Sequence, residues 1–336
     1  MSQPLTKAVL LTGAAARISQ EVALFDRLRA TTDPSKELPL TVSQDDTLIS
    51  GFSSGSLNVA AINACFSNGS MLDWDAYYKQ QVLFPLRNKD VYKITGIPFD
   101  TSPLRATIQK FLDTMNCQKV GDLAFLSYIL TFSWRRLETL WACSRNDGQY
   151  YMNPTDLFMS STAIPVLFPS QEIHPIAGHT IDFPDGKYAD GGTGGTFKKF
   201  ENYLGEYVKQ NGPFDTLYII SPMRQTAETE EEQILGFLQD NKMDNKVIEL
   251  ANQLENISMN TFMKFLKRLD EWTFNSKPMA NNLFVCIPEM EKNFNILNFD
   301  DQEKQYDAVI DWVNKNPQKL AVPLKKFIEE HQDSIA

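Results

Sequence analysis

Apolar residues in the first 70 positions follow two rhythms. Ala8 to Leu11 is a short continuous apolar run closed by Gly13, and it predicts a buried strand. Ile18, Val22, Phe25 and Leu28 then recur at three- and four-residue steps, as on one face of a helix. The polar stretch SQDDT predicts a turn and Thr47 to Ser50 a second short strand. After GFSSG, a helix runs through Leu57, Val59, Ile62 and Phe66 and stops near Gly69. Strand, turn and helix occur twice, which predicts a mostly parallel sheet covered by helices.

Further along, Trp74, Tyr77 and Tyr78 are spaced for one helical face, with Phe84, Pro85 and Tyr92 after them. FDTSPLRATIQKFL predicts a helix capped by Ser102, with Pro103 at its first position. LETLWACS and QYYMN read as two arms of a hairpin around Asn146, Asp147 and Gly148. MSSTAIPVLFPS predicts a short helix broken by Pro165 and Pro169, and GKYADGG a strand ending at Asp190. DTLYIIS and NLFVCIP are strand-like, residues 227 to 272 mainly helical, and two helices close the chain. The acidic run at Glu228, Glu230, Glu231 and Glu232 suits a solvated helix N-terminus. With no linker, repeat or low-complexity block, residues 1 to 336 are expected to form one domain, its motif-bearing core at about 7 to 200.

The formal charge of −10 argues against nucleic acid and against a purely electrostatic grip on anionic lipid. Cys65, Cys117, Cys143 and Cys286 form no CxxC pair, so a zinc or redox-motif role is not expected. Cys65 and Cys286 sit in apolar runs as expected buried thiols, which fits a reducing compartment. AVLLTGAAA resembles a signal peptide, but its apolar core of about 4 residues is short of the roughly 7 to 15 required. A cytoplasmic protein is expected, with peripheral membrane contact or export without a cleaved signal as compatible variants. No run approaches the roughly 20 apolar residues of a membrane span.

In G-x-S-x-G the middle residue is Ser53. A strand ending in a sharp turn exposes such a side chain, and the following helix aims its amides at the site. A serine hydroxyl needs a base. His331 supplies the Ser, Asp, His chain order of an alpha/beta-hydrolase, but only about one strand-helix unit precedes the strand leading to Ser53. His174 and His179 read as loop histidines. Asp190 in YADGGTGG is the other base: burial beside the serine would raise its pKa and make a dyad sufficient. The loop TGAAAR, residues 12 to 17, could turn its amides to a developing oxyanion, with Arg17 adding positive charge.

Taken in order, these motifs resemble the patatin-like phospholipase family: a small-residue loop with a basic residue after strand one, G-x-S-x-G after the next strand, and D-G-G much later. FDTSPLRATIQKFL and the Ala-Ile-Pro…Phe-Pro segment before D-G-G are similar to stretches of the microbial members. The likeness covers about residues 7 to 196. It implies a three-layer α/β/α patatin-like fold with a mostly parallel central sheet, a core similar to cytosolic phospholipase A2, and a Ser-Asp dyad.

Carried over, Ser53 is the nucleophile and Asp190 the base. Gly13, Ala14 and Ala15 take the oxyanion-loop positions and Arg17 the basic one, and the Ser54 amide can contribute. The family loop usually carries glycines where Ala14, Ala15 and Ile18 stand, and GGTGGTF replaces the usual Asn-Pro element after D-G-G. The implied activity is hydrolysis of fatty acyl esters, a phospholipid or another acyl ester, with no metal or organic cofactor. The aromatics from Trp74 to Tyr92 either line an acyl groove or pack beneath the sheet. The rival readings are a catalytically inactive scaffold on the same fold and an alpha/beta-hydrolase esterase using His331.

Overall fold

The computed structural model describes residues 3–30, 40–193, 197–222, 259–290 and 294–331. Among these, nine strands build one sheet: β1 (Lys7–Leu11), β2 (Thr47–Gly51), β3 (Leu126–Ser133), β4 (Glu138–Cys143), β5 (Gln171–Glu172), β6 (Lys187–Asp190), β7 (Phe214–Ile220), β8 (Ala280–Cys286) and β9 (Val322–Pro323). Their order is β9-β8-β7-β1-β2-β3-β6-β5, with β4 also pairing β3. The stretch from β8 to β3 is parallel. β9, β4, β6 and β5 join antiparallel.

Apart from the single turn Asn88–Val91, the α-helices among the described residues are α1 (Ile18–Ala30), α2 (Ser54–Phe66), α3 (Ser102–Thr114), α4 (Pro154–Ser161), α5 (Phe197–Asn211), α6 (Met259–Glu271), α7 (Gln302–Lys315) and α8 (Leu324–Glu330). The alternation of side chains along β1 shows how they divide. Val9 and Leu11 enter a core with Val22 of α1, Val59 of α2 and Val309 of α7. Ala8 and Leu10 enter a second core with Leu204 of α5, Leu266 of α6 and Phe327 of α8. Covered on both faces, β1 must be apolar throughout, as AVLL is. The result is a mixed α/β fold with a mostly parallel central sheet flanked by helices, consistent with the architecture the family resemblance implies.

Several expectations are corrected. Glu138–Cys143 pairs with Leu126–Ser133, and not with QYYMN. Asn146 instead folds a local turn, its side chain accepting from the Gly148 N–H at 2.9 Å. The strand LSYILTFS takes the pairing, with six of its eight residues buried between β2 and β6 on one edge and β4 on the other. Ser102 is already helical, preceded by Thr101 at the cap. Trp74–Leu83 winds as a π-helix, with Tyr78 N–H donating to Asp73 O at 3.2 Å. Trp74, Tyr78 and Tyr92 are core residues. Cys65 is only partly buried, whereas Cys286 is fully so. The expected acidic helix start and the helices over 227–258 fall outside the described residues. Among the described residues no helix is long and apolar enough to cross a membrane.

Candidate active site

Leu11 is level with Gly51 on one side and Ile220 on the other, so β1, β2 and β7 end together. Loops leaving the carboxyl ends of adjacent parallel strands are where open α/β sheets form their ligand crevices. The loop 12–17 and the turn at Ser53 are two of these.

Ser53 stands between β2 and α2 with φ 51° and ψ −140°. A non-glycine residue with positive φ stores strain. A serine at a helix N-cap ordinarily accepts from the first turn of amides. Here Ser53 makes no side-chain cap bond, and Ser56 donates its hydroxyl to Ser53 O at 2.6 Å. The glycines are steric necessities. A Cβ on Gly51 would lie 2.8 Å from Gly55 O, and one on Gly55 would lie 2.4 Å from Leu11 O.

Asp190 reaches this turn through the pairing of β3. β4 occupies one edge of β3, so β2 and β6 share the other. β2 ends at Gly51 opposite Ile129, and β6 arrives from the opposite direction to end at Asp190 opposite Thr131. Two residues of strand, about 6.6 Å, separate those positions. The Ser161 carbonyl joins the two ends, accepting the Ser53 N–H at 3.1 Å and the Gly191 N–H at 3.2 Å. Gly191 is compulsory there, since a Cβ would lie 2.7 Å from Phe52 Cβ and 2.4 Å from Leu130 O. Asp190 is 6% exposed and its Oδ1 accepts the Gly192 N–H at 2.7 Å. The backbones of Ser53 and Gly191, which follows Asp190, are thus held on one carbonyl.

The loop 12–17 is fixed amide by amide. Gly13 N–H donates to Glu21 Oε1 at 3.0 Å and Ala14 N–H to Ser54 Oγ at 3.1 Å. Ala16 N–H reaches Ile296 O at 2.7 Å and Arg17 N–H reaches Ala14 O at 2.9 Å. Among the described residues the Ala15 N–H has no acceptor. Of the alanines and isoleucine at glycine positions, Ala14 has an extended φ of −165° and Ile18 a helical −52°, so neither is strained. Ala15 alone adopts a left-handed φ, 46°. Arg17 is buried, with Nε donating to Phe294 O at 3.2 Å.

The histidines have other engagements. His174 Nδ1 meets Asp156 Oδ2 at 2.8 Å, and that hydrogen bond raises the imidazole pKa above its ordinary value. His179 stacks on Tyr151 at 3.7 Å. His331 bonds Phe327 O at 2.8 Å just after α8. α8 follows the edge strand β9, four strand positions from β2, or about 19 Å at sheet spacing.

Leu57, one helical turn after Ser53 in α2, is the nearest residue in sequence after the turn to wall an apolar cavity of about 50 Å³, with Ile18, Ala60, Tyr78, Leu104 and Phe158. It shares Val82, Leu86, Thr107 and Phe111 with an open groove of about 290 Å³. Several contributors to the site were missed in the sequence. Glu21 lies within the buried stripe of α1, and Asn58 interrupts the apolar run of α2; a polar side chain at a core position was the available signal. Gln302 and Gln305, which both donate to Ala16 O, gave none, being some 290 residues away in the chain.

Fold and site together define an α/β protein with a strained serine turn at the carboxyl edge of a mostly parallel sheet. No family model and no curated protein matches the chain. Among solved structures it is similar to VipD from Legionella pneumophila, at 10% identity and a TM-score of 0.34, over 96% of this chain and 71% of that one.

Proposed function

We infer that the protein is a lipid acyl hydrolase acting through Ser53 and Asp190. The observation that carries this reading is the shared Ser161 carbonyl, which ties the strained serine turn to the end of the aspartate strand. The Ser53 hydroxyl attacks the ester carbonyl carbon while its proton passes to Asp190. The carbonyl oxygen becomes an oxyanion facing the Ala15 and Ser54 amides. The C–O bond breaks, the leaving alcohol takes the proton from Asp190, and an acyl-Ser53 remains. Water then attacks the acyl carbon, giving a proton to Asp190. Collapse releases the fatty acid and returns that proton to Ser53. The cavity alone is too small for a fatty acyl chain, but its apolar walls and the groove of about 290 Å³ that shares Val82, Leu86 and Phe111 with it favour an apolar substrate tail, so a phospholipid or another acyl ester is the substrate class.

The test replaces Ser53 with Ala, Asp190 with Asn and His331 with Ala, one at a time, and measures fatty acid release from phospholipid and from a short ester. Loss at Ser53 and Asp190, with His331→Ala active, is the expected result. Loss on removing His331 would favour a triad instead. A wild-type protein inert toward every acyl ester would favour a binding scaffold, the reading suggested by two loop amides already engaged by side chains.

A further inference from the structure

Glu21 takes no part in the steps above, yet it is fully buried under the loop that serves them. Its Oε1 accepts the Gly13 N–H, and its Oε2 accepts the Asn58 Nδ2–H at 2.6 Å. Asn58 Nδ2 also reaches Ile18 O at 3.3 Å, and Asn58 Oδ1 accepts the Tyr78 hydroxyl at 2.6 Å. One carboxylate therefore ties the loop to α1, to α2 and to the π-helix that walls the apolar cavity. Burial pushes its pKa up to about 7. A buried carboxylate is a poor way to gain stability, since an apolar side chain of similar volume does as well or better. Its position therefore calls for a role in the loop.

Gly13 shows what that role is. At φ +64° and without a Cβ, its peptide is the least constrained in the loop. An acceptor fixed beneath it sets that peptide plane, and with it the planes that follow. Ser54 then holds Ala14, Ile296 holds Ala16, and the Ala15 amide is left for a ligand. We propose that Glu21 is a positioning residue for acyl transfer, holding Gly13 so that Ala15 N–H is the loop's donor to the oxyanion. The proposal rests on the reading of Ser53 as nucleophile.

The test uses the full chain, with p-nitrophenyl butyrate as the ester and amide hydrogen exchange at Gly13 as a readout independent of turnover. Losing an oxyanion donor lowers kcat by about 100- to 1000-fold, so misplacing one is expected to lower it by about 10- to 100-fold. Glu21→Ala should show that drop with KM changed less than about 2-fold, and its Gly13 amide should exchange faster. The exchanged pair Glu21→Gln with Asn58→Asp keeps an acceptor for Gly13, a donor facing position 58 and an acceptor for Tyr78. It should therefore exceed both single variants in kcat and restore protection at Gly13. This comparison holds even if Glu21→Ala does not fold. Unchanged Gly13 exchange and kcat in Glu21→Ala, or a double variant no better than the singles, would overturn the proposal. A wild-type protein inert toward esters, with Gly13 still released in Glu21→Ala, would strike down the acyl-transfer reading and leave Glu21 only as the holder of the loop.

Discussion

Replacing Gly13 with Ala tests the packing of the loop against the serine turn. The substitution imposes two penalties that can be separated. The first is backbone strain, since φ is +64°; an L-residue there loses about 1–2 kcal/mol. Alanine also restricts the unfolded chain, which offsets about 0.4–1 kcal/mol. The second is steric: the new Cβ would lie 2.5 Å from Gly55 N, 2.8 Å from Phe52 O and 2.9 Å from Ser54 N. All three are backbone atoms, so no side chain can swing aside, and overpacking of this kind adds about 1–3 kcal/mol. The expected loss is about 2–4 kcal/mol. Gly69 is the control, because its φ is +78° and nothing lies within 4 Å of its virtual Cβ. Gly69→Ala should lose only about 0.5–1 kcal/mol. Unfolding entropy is about 2.1 cal/mol/K per residue, or about 0.7 kcal/mol/K over the 336 residues. Gly13→Ala should therefore lower Tm by about 3–6 °C and Gly69→Ala by about 1 °C, read by calorimetry and checked against urea midpoints. Equal losses in the two variants would refute the close approach of the loop to the first turn of α2.

Two further expectations follow from buried groups. Glu21 is raised from 4.5 to about 7 by burial, so between those values the unfolded chain releases a proton that the native state keeps. Stability should fall by about 1.4 kcal/mol per pH unit across that window, about 3 kcal/mol in all, and level off above pH 7. Urea titrations of wild type and Glu21→Gln from pH 4.5 to 8 should diverge by that amount, and parallel curves would remove the perturbed carboxyl. At Ser53, Ala and Gly should be nearly equal in stability, because relief of about 1–3 kcal/mol of strain offsets the lost methyl group and the extra chain entropy. At Ala61, in the regular part of α2, Gly should lose about 2 kcal/mol, and a loss that large at position 53 would deny the strained turn.

Local rules made much of this legible in the sequence. The apolar run of β1, the helical step of α1 and the bracketing glycines at 51 and 55 each depend on neighbours a few positions away. They gave the strand-turn-helix units, the serine turn and the strand ending at Asp190. The sequence pattern predicts no strand at β3, yet it is β3 that brings the aspartate strand up to the serine turn. Its partners on one edge come from residues 48–51 and 188–190. That shared edge is a matter of pairing across the chain, and side-chain pattern does not encode which strands will meet. The same holds for the loop 12–17. Its small residues marked it as a place where backbone comes close. Which amides are consumed depends on Glu21 beneath it, Ser54 beside it, and Ile296 in a distant segment. The chain alone thus determined the pieces, because secondary structure and turn geometry answer to short-range sterics and burial. Only the folded molecule decided which pieces face one another, because hydrogen-bond partners hundreds of residues apart are chosen by how the layers pack.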